Sequence, residues 1–421
     1  MLKNSILSLI LLGGFVSCSN QALSEQACDP NGKTFRNILS LLTVTENSQS
    51  YCGVKAVLRK ACDLTPFELI QPERWKLVQE ELKLQISKTK GTPSFTISEG
   101  PVPASGMVTA RWLGAVLATN GQVYGMPFNQ PNLLSYDPNS SNFELISVGD
   151  SSSSKWEGGV LGPDGKIYGI PRNANAVIVF DPISKSLSYL NTPITGSGKW
   201  RGGILAPNGT IYAMPISVSS ILAIDTKTQS LRTISTNSTE TNQWEGAVLG
   251  ADGKIYAVPV DATKLLVLNP TTEEVRLLPI EISGTGKFRQ GVLLPSGKIL
   301  LVPSTSDSIL IFDPSTEMFS RIVTSISGNS KWRGAVLAAD GNVYFIPMEQ
   351  SKILVLNSTD FSQSIIDTNE SALNQWGDGA LLQSGEIFFL PHTNSRYLRL
   401  NPNAEGRFCD SILLSGYYNK Y

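Results

Sequence analysis

Short apolar runs alternate with turn-forming residues over most of the chain, and residues 156–190 give the clearest example. Apolar, β-branched and aromatic residues in these runs are separated by Gly, Pro, Asp and Asn, which is the pattern of short β-strands joined by turns. Pro163-Asp164-Gly165 predicts a tight hairpin, because proline fixes φ, aspartate bonds locally and glycine accepts a positive φ. Four antiparallel strands are therefore predicted, at Gly158–Leu161, Lys166–Pro171, Ala176–Phe180 and Ser186–Leu190.

This unit occurs seven times at a constant period of 44 residues. Each copy begins with a large aromatic anchor, namely Trp112, Trp156, Trp200, Trp244, Phe288, Trp332 and Trp376. A turn glycine follows nine residues later, at Gly121, Gly165, Gly209, Gly253, Gly297, Gly341 and Gly385. A proline follows after six more, at Pro127, Pro171, Pro215, Pro259, Pro303, Pro347 and Pro391. Because the spacing never slips, the chain is interpreted as one repeat array rather than several unrelated domains.

Four short antiparallel strands in 44 residues match the size of one propeller blade. A single blade cannot bury both of its faces, so neighbouring blades must stack. The sequence thus predicts an all-β fold, a seven-bladed β-propeller of four-stranded blades over residues 93–421. The anchors are expected to pack between blades. The ring is expected to close with either residues 95–98 or residues 407–410 as the outermost strand of the last blade.

Residues 28–92 differ in composition from the repeats and are predicted to form a small helical segment. Pro72 opens a stretch with apolar residues at Trp75, Val78, Leu82 and Ile86, which is helical spacing.

The N-terminus has the pattern of an export signal over residues 1–17, with Lys3 before an apolar run from Ile6 to Val16. The small residue Ser17 before Cys18 resembles a bacterial lipoprotein signal, although Phe15 departs from the usual leucine. The resemblance implies a lipidated (palmitate-bearing) Cys18, a tether over residues 18–27 and an anchor in the bacterial outer membrane. The alternative is a plain secretory signal.

The remaining cysteines are Cys28, Cys52, Cys62 and Cys409, and in an exported chain four cysteines indicate two disulfides with three possible connectivities. Cys28–Cys52 with Cys62–Cys409 is the favoured pairing.

No cysteine or histidine spacing predicts a metal site, and no cofactor is expected. The formal net charge of -1 does not favour nucleic acid as a partner. A monomer is expected.

The repeats resemble the YVTN/NHL/kelch-like β-propellers of bacterial exported proteins. The residues that carry this resemblance are Lys199–Pro215 followed by Ile221–Asp225, and it extends over about residues 112–414. The Trp-Asp ending of WD40 repeats is absent and the kelch double glycine is only loosely matched. The resemblance implies the fold, whereas function must come from the site.

Charged residues flank the anchors. Directly before them are Arg111, Lys155, Lys199, Lys287 and Lys331, together with Gln243 and Gln375. Directly after them are Glu157, Arg201, Glu245, Arg289 and Arg333. If the cations meet at the channel mouth they form a basic ring that attracts an anionic ligand. The alternative interpretation, which is favoured, is ion pairing between blades, for example a lysine of one blade with a glutamate of the next, or solvated charge at the rim.

The loops after the second strands vary from copy to copy, as expected where binding specificity is built on a repeated scaffold. The candidate ligand-binding residues in them are Arg172, Asp261, Asp307, Glu349 and His392. No catalytic motif is present. His392 is interpreted as a surface residue rather than a catalytic residue, because it is a single histidine in a loop. The chain is therefore expected to be a lipid-anchored binding module for a protein or glycan. The alternative is an exported lyase or hydrolase of lactonase type acting at the channel mouth.

Overall fold

The computed structural model describes residues 50–51, 54–55, 66–88, 96–103, 109–368 and 375–402. The chain divides into two compact units, Met1–Leu64 and Thr65–Tyr421. The described part of the first unit is a short hairpin of β1 (Ser50–Tyr51) and β2 (Val54–Lys55). The predicted signal, the tether, and residues Cys18, Cys28, Cys52, Cys62 and Cys409 lie outside the described residues, so lipidation and disulfide pairing stay predictions.

The second unit contains seven four-stranded antiparallel sheets, which are the blades. Blade 1 comprises β4 (Trp112–Leu117), β5 (Val123–Pro127), β6 (Asn132–Asp137) and β7 (Asn142–Ser147). Blade 2 comprises β8 (Trp156–Leu161), β9 (Ile167–Pro171), β10 (Ala176–Phe180) and β11 (Leu187–Asn191). Blade 3 comprises β12 (Trp200–Leu205), β13 (Thr210–Pro215), β14 (Ser220–Asp225) and β15 (Ser230–Ser235). Blade 4 comprises β16 (Trp244–Leu249), β17 (Ile255–Pro259), β18 (Lys264–Leu268) and β19 (Val275–Pro279).

The last three blades follow the same order. Blade 5 comprises β20 (Phe288–Leu293), β21 (Ile299–Pro303), β22 (Ser308–Asp313) and β23 (Met318–Val323). Blade 6 comprises β24 (Trp332–Leu337), β25 (Asn342–Pro347), β26 (Lys352–Asn357) and β27 (Gln363–Asp367). Blade 7 comprises β28 (Trp376–Leu381), β29 (Ile387–Pro391), β30 (Arg396–Asn401) and the N-terminal strand β3 (Thr96–Pro101). Each innermost strand contacts the next, and β28 contacts β4, so the seven blades form a closed ring. The prediction of a seven-bladed β-propeller is confirmed.

Strand β3 closes the ring by pairing with β30 from Thr96↔Asn401 to Pro101↔Arg396. An ion pair between Glu99 and Arg396 at 2.6 Å joins the same two strands. The strand predicted near residues 95–98 is therefore the closing strand, and residues 407–410 lie outside the described residues.

The repeated residues have the structural roles that their chemistry predicts. All seven turn glycines have a positive φ, for example 78° at Gly165, whose N–H donates to Gly162 O at 3.1 Å. A side chain would strain the backbone in this conformation. The repeated prolines lie directly opposite the anchors in the first hairpin of every blade, as in the pair Trp156↔Pro171.

The aromatic anchors pack between blades. Trp156 is 2% exposed and lies in a cluster with Val116 and Met126 of blade 1 and Ile178 of blade 2. Its Nε1 donates to Ala176 O at 2.8 Å, and the indoles of Trp112, Trp200 and Trp244 make the equivalent bond. The anchors therefore both fill the core between blades and tie the first strand to the third.

The helical segment after residue 65 belongs to the same compact unit as the blades. It consists of α1 (Pro66–Leu69), a 3-10 turn (Pro72–Arg74) and α2 (Trp75–Lys88). Val78 and Leu82 are buried, which confirms the predicted apolar face of α2. None of the described helices is long and apolar enough to cross a membrane.

Helix α2 lies against the turns that join the first and second strands, which we call the lower face. Gln79 Nε2 donates to Pro295 O of blade 5 at 2.8 Å, and just before the helix Gln71 Nε2 donates to Pro207 O of blade 3 at 3.2 Å. The far end of the helix packs close to blade 6, because a Cβ placed on Gly341 would lie 3.0 Å from Ile86. The segment from Gln71 to Ile86 therefore runs along the lower face from blade 3 to blade 6.

Candidate functional site: the upper mouth of the channel

The first strands begin at their anchors on the face opposite helix α2. This upper face carries the loops that precede the anchors and the loops that follow the repeated prolines. The residue directly after the anchor differs in each blade, in order Leu113, Glu157, Arg201, Glu245, Arg289, Arg333 and Gly377. Charged residues thus occupy this position in blades 2 to 6.

Five of these residues meet in one cluster. Glu157 of blade 2 pairs with Arg333 of blade 6 and, at 2.9 Å, with Arg201 of blade 3. Glu245 of blade 4 lies 2.9 Å from Arg201, 2.9 Å from Arg289 and 3.0 Å from Arg333. Since blades 2 and 6 are not neighbours in the ring, these ion pairs cross the upper end of the channel.

Arg172 joins the cluster from the loop after the second strand of blade 2. Its Nε lies 3.4 Å from Glu157 Oε2, and its guanidinium lies 5.4 Å from the ring centre of Phe128. We call the six residues Glu157, Arg172, Arg201, Glu245, Arg289 and Arg333 the charged cluster. The two glutamates are 4–5% exposed, whereas Arg289 and Arg172 are 19% and 27% exposed, so these two arginines face the opening.

The electrostatics of the cluster keep both carboxylates ionised. Burial acts to raise the pKa of Glu245, but Arg333, Arg201 and Arg289 outweigh it and lower that pKa to about 2. Glu157 behaves in the same way: burial opposes ionisation, and Arg201 and Arg333 lower its pKa. Burial lowers the pKa of Arg172, Glu157 acts to raise it, and the neighbouring Arg201 and Arg333 act to lower it. With four arginines and two glutamates, the cluster has an excess of positive charge.

Glycines two residues after the anchors bring the innermost strands of blades 1 to 3 close together. A Cβ on Gly114 would lie 2.6 Å from Gly158 Cα, and a Cβ on Gly158 would lie 2.8 Å from Gly202 Cα. Both glycines also have positive φ values, 92° and 95°. Only glycine fits such an approach, so the backbone itself narrows the channel beside the charged cluster.

Two blades carry a polar side chain at this glycine position. Gln290 Oε1 accepts from Ala335 N of the next blade at 2.9 Å, and Asp378 Oδ2 accepts from Ala115 N of blade 1 at 2.7 Å. Both side chains are buried. They link the innermost strands of consecutive blades.

The cations before the anchors do not form an exposed ring. Lys155, Lys199, Lys287 and Lys331 are buried, and each ammonium donates to backbone carbonyls, as Lys331 does to Ser306 O at 2.7 Å. Burial lowers the pKa of all four ammonium groups. Arg111 is also buried and donates to Asn394 O of blade 7. These residues donate to backbone carbonyls of the loops, whereas the ion pairs between blades are made by the residues after the anchors.

Among the predicted loop residues, Asp261 has a bracing role. Its Oδ1 accepts from Gly286 N of the next blade at 2.6 Å, and its Oδ2 accepts from Asn242 Nδ2 at 2.7 Å. Asn173 makes the equivalent contact with Gly198 N at 2.9 Å. Asp307 accepts from Ser308 Oγ at 2.9 Å, and Glu349 is part-exposed on the loop of blade 6. The structure does not bring Asp261, Asp307 and Glu349 into one cluster with His392 that could hold a metal ion, within the described residues.

His392 lies at the mouth on the side of blades 7 and 1. It is 6% exposed, and its carbonyl accepts from Arg111 N at 2.9 Å. A Cβ on Gly377 would lie 3.2 Å from His392 Cδ2, so the imidazole borders the position that charged residues occupy in other blades. His392 is therefore a mostly buried residue of the channel mouth rather than an exposed surface residue.

Sequence reasoning identified the charged positions beside the anchors but could not assign them. One signal was available: the charge of the residue after the anchor alternates in sign from blade 2 to blade 5, through Glu157, Arg201, Glu245 and Arg289. Arg333 of blade 6 ends the alternation. Alternating charge at one repeat position indicates pairing between neighbouring blades. The bond between blades 2 and 6 had no such signal, because it depends on the width of the ring.

Comparison with known proteins supports the fold. No model of a known protein family and no curated protein matches the chain. Among solved structures, it is similar to a catalytically inactive virginiamycin B lyase from Staphylococcus aureus with quinupristin, at 13% identity and TM-score 0.62, covering 73% of this chain and 99% of the lyase. The Kuenenia stuttgartiensis hydrazine synthase is similar at 13% identity and TM-score 0.57, covering 70% of this chain and 97% of that one.

An extracellular domain of a hybrid two-component system, BT4673 from B. thetaiotaomicron, is also similar. Its identity is 10% and its TM-score 0.58, covering 75% of this chain and 44% of that one. Proteins with different printed roles thus share this fold. At these identities the likeness shows the architecture alone, and the function of this chain has to be argued from its own residues.

Proposed function

We propose that the chain is an exported binding module whose upper channel mouth recognises an anionic group on a protein or glycan ligand. The observation that carries this proposal is the composition of the charged cluster, in which four arginines share the two carboxylates of Glu157 and Glu245. The excess of guanidinium over glutamate leaves the mouth attractive to an anion.

Arg172 and Arg289 are the residues placed to meet the ligand, because they are the most exposed members of the cluster. A guanidinium presents a planar fork of donors that matches carboxylate, sulfate or phosphate oxygens. Their ion pairs with Glu157 and Glu245 fix their positions in advance, which reduces the entropy lost on binding.

The same ion pairs favour binding over acid–base catalysis by this cluster. A general acid or base works best with a pKa near the operating pH. Glu245 has a pKa of about 2 and the pKa of Glu157 is also lowered, so neither carboxyl group takes up a proton near neutral pH.

The test is a glycan array rich in uronic acid and sulfated sugars, followed by titration of the best ligand. Arg172→Ala and Arg289→Ala are expected to weaken binding at least about ten-fold, equivalent to about 1.4 kcal/mol. Arg276→Ala is the matched control, because Arg276 lies on the outermost strand of blade 4, pairs with Glu317 in a turn of blade 5 and is 47% exposed. Equal affinities for all three variants, or a preference for neutral glycans, would contradict the proposal.

The alternative is an exported enzyme of lyase or hydrolase/lactonase type acting at the same mouth. The observation that favours it is the position of His392, which borders the channel beside Gly377. Incubating the array ligand with the protein and analysing it by mass spectrometry tests this. A product that disappears with His392→Ala supports catalysis, and an unchanged ligand leaves binding alone.

Export and anchoring are part of the proposal and are supported by the lipoprotein-like signal before Cys18. Cys18→Ala is expected to release the protein from the membrane fraction. Unchanged partitioning after this substitution would refute the lipid anchor.

A further inference from the structure

In several blades the residue before the anchor is a lysine whose ammonium group lies between consecutive blades and donates to backbone carbonyls. Lys331 Nζ donates to Ser304 O at 3.1 Å, Ser306 O at 2.7 Å and Gly328 O at 3.0 Å. Lys155 Nζ donates to Gln130 O at 2.8 Å and Ser152 O at 2.6 Å. One carbonyl in each set comes from the residue three positions before the lysine and another from 25 positions before, in the preceding blade.

Lys199 and Lys287 make the first of these two contacts, to Gly196 O and Gly284 O. The indole of the following anchor completes the surroundings, since the ammonium lies 6.0 Å from the ring centre of Trp200 and 5.6 Å from that of Trp332. Carbonyl oxygens beside an aromatic face suit a primary ammonium group. Four blades thus hold the ammonium group of the chain's own lysine against backbone carbonyls, and in three of them it also lies beside an indole.

Blade 4 has Gln243 at this position. Its backbone follows the same path, because Gln243 N donates to Ile216 O at 2.8 Å as Lys331 N donates to Ser304 O at 3.1 Å. The equivalent carbonyls belong to Val218 and Glu240. Gln243 Nε2 donates to Val218 O at 3.1 Å, so the shorter amide makes one of the lysine's contacts.

The other amide atom of Gln243 points to a missing donor. Gln243 is 1% exposed, and its Oε1 has no hydrogen-bond partner among the described residues. A buried acceptor without a donor costs about 1–3 kcal/mol, and an ammonium group is a donor with no acceptor atoms of its own.

A cleft opens beside this amide, between the loops of blades 3 and 4. Its cavity volume is about 340 Å³, and its lining includes Val218, Ser219, Ser238, Glu240, Thr241 and Gln243. The residues that supply the two equivalent carbonyls are therefore both in the lining. Because one water occupies only about 30 Å³, the cleft has room for a small molecule attached to an ammonium group.

The rest of the lining is polar and carries one carboxylate. Ser217, Ser219, Ser238, Thr239 and Thr241 bring hydroxyl groups to the cleft. The carboxylate of Glu240 is fixed by Thr263, which donates from its N at 3.1 Å and its Oγ1 at 3.0 Å. Hydroxyls beside a carboxylate match a ligand that combines hydroxyl groups with a positive charge.

We propose that the cleft between blades 3 and 4 binds the primary ammonium group of an amino sugar, with Gln243 Oε1 and the carbonyls of Val218 and Glu240 in the place where other blades hold a lysine. Sugar hydroxyls meet the serine and threonine side chains. This site is separate from the charged cluster and selects the opposite charge, so it does not depend on the function proposed for the channel mouth.

Titration of the full-length protein with glucosamine, monitored by calorimetry, tests the proposal. Glucose and N-acetylglucosamine lack the ammonium group and are expected to bind at least about ten-fold more weakly, equivalent to about 1.4 kcal/mol. Equal binding of the three sugars, or no binding of glucosamine, would overturn the proposal.

The decisive variant is Gln243→Lys, which places the chain's own ammonium in the cleft as Lys331 does in blade 6. It is expected to fold, because four blades carry lysine at this position, and to lose glucosamine binding. Ser151→Lys adds the same charge at an exposed position of the upper face and is expected to bind glucosamine like the wild type. Retained binding in a folded Gln243→Lys protein would refute the site, whereas anion binding at Arg172 is expected to be the same in both variants.

Discussion

Glu157 and Arg333 lie 176 residues apart in the sequence and pair across the upper end of the channel, joining blade 2 to blade 6. Arg333 also pairs with Glu245 of blade 4, so its ion pairs connect non-adjacent blades, whereas the hydrophobic cores lie between neighbours. Arg201 joins the adjacent blades 2, 3 and 4 through the same two glutamates. The charged cluster therefore links blades across the ring as well as forming the mouth.

Removing one carboxylate from this cluster is expected to be costly. Glu245→Gln leaves Arg201, Arg289 and Arg333 with one charged partner fewer in a buried site, and breaking such a buried pair typically destabilises by about 3–5 kcal/mol. Glu144→Gln is the matched control, because Glu144 pairs with Lys185 while 49% exposed, and exposed pairs contribute about 0–1 kcal/mol. Urea unfolding of both variants measures the difference. Similar costs for the two would mean that the cluster contributes no more than a surface pair.

The same carboxylates predict the acid limb of stability. Glu157 and Glu245 have pKa values below the ordinary value of 4.5, so their contribution is complete above that pH and is lost as pH falls through the lowered pKa values, which for Glu245 is about 2. For Glu245 the loss is on the order of 3 kcal/mol. The midpoint of urea unfolding, measured at several pH values from about 6 to about 2.5, gives this loss of stability. The decline is expected to be shallower in Glu245→Gln, and parallel curves for wild type and variant would contradict this assignment.

The fold could be predicted from the sequence because its determinants are local and repeated. The turn at Gly165 and the strand end at Pro171 each follow from one residue's backbone chemistry, and seven copies at one spacing left little choice of architecture. The closing strand was one of two predicted candidates, and the pairing of Ile97 with Leu400 decided between them.

The site could be predicted only in part, because its chemistry depends on which way neighbouring side chains face. Lys155 and Glu157 flank the same anchor, yet Lys155 donates to backbone carbonyls and Glu157 reaches across the channel. Strand register and the width of the ring decide this difference, and neither can be derived from the spacing of the repeats. The apolar face of helix α2 likewise predicted that the helix packs, but not that it packs on the lower face.

The anchors are expected to differ in how well they tolerate phenylalanine. In blade 2 the residue thirteen positions after the anchor is Gly169, and Trp156 Nε1 bonds Ala176 O. In blade 6 it is Phe345, whose ring lies edge-on at 5.3 Å from Trp332, and Trp332 Nε1 has no hydrogen-bond partner among the described residues. Trp156→Phe therefore loses a hydrogen bond that Trp332→Phe does not.

Both substitutions remove a similar apolar area, so the difference isolates the bond. Trp156→Phe is expected to cost about 1 kcal/mol more than Trp332→Phe in urea unfolding. Phe288 shows that a blade accepts phenylalanine at this position. Equal costs for the two substitutions would indicate that the indole bond contributes nothing to stability.

Closure of the ring by β3 is expected to be essential to a monomeric propeller. Without β3, β30 becomes an exposed edge strand, and its buried residues Tyr397, Leu398 and Leu400 lose their cover. An unpaired strand edge with apolar residues beside it favours association with other chains.

Two shortened chains separate this effect from the loss of helix α2: one begins at residue 90 and keeps β3, and the other begins at residue 104 and lacks it. Size-exclusion chromatography is expected to show a monomer for the first and aggregates for the second, with a peptide of residues 94–103 restoring the monomer. A monomeric second chain with an unchanged unfolding midpoint would show that the ring closes without β3.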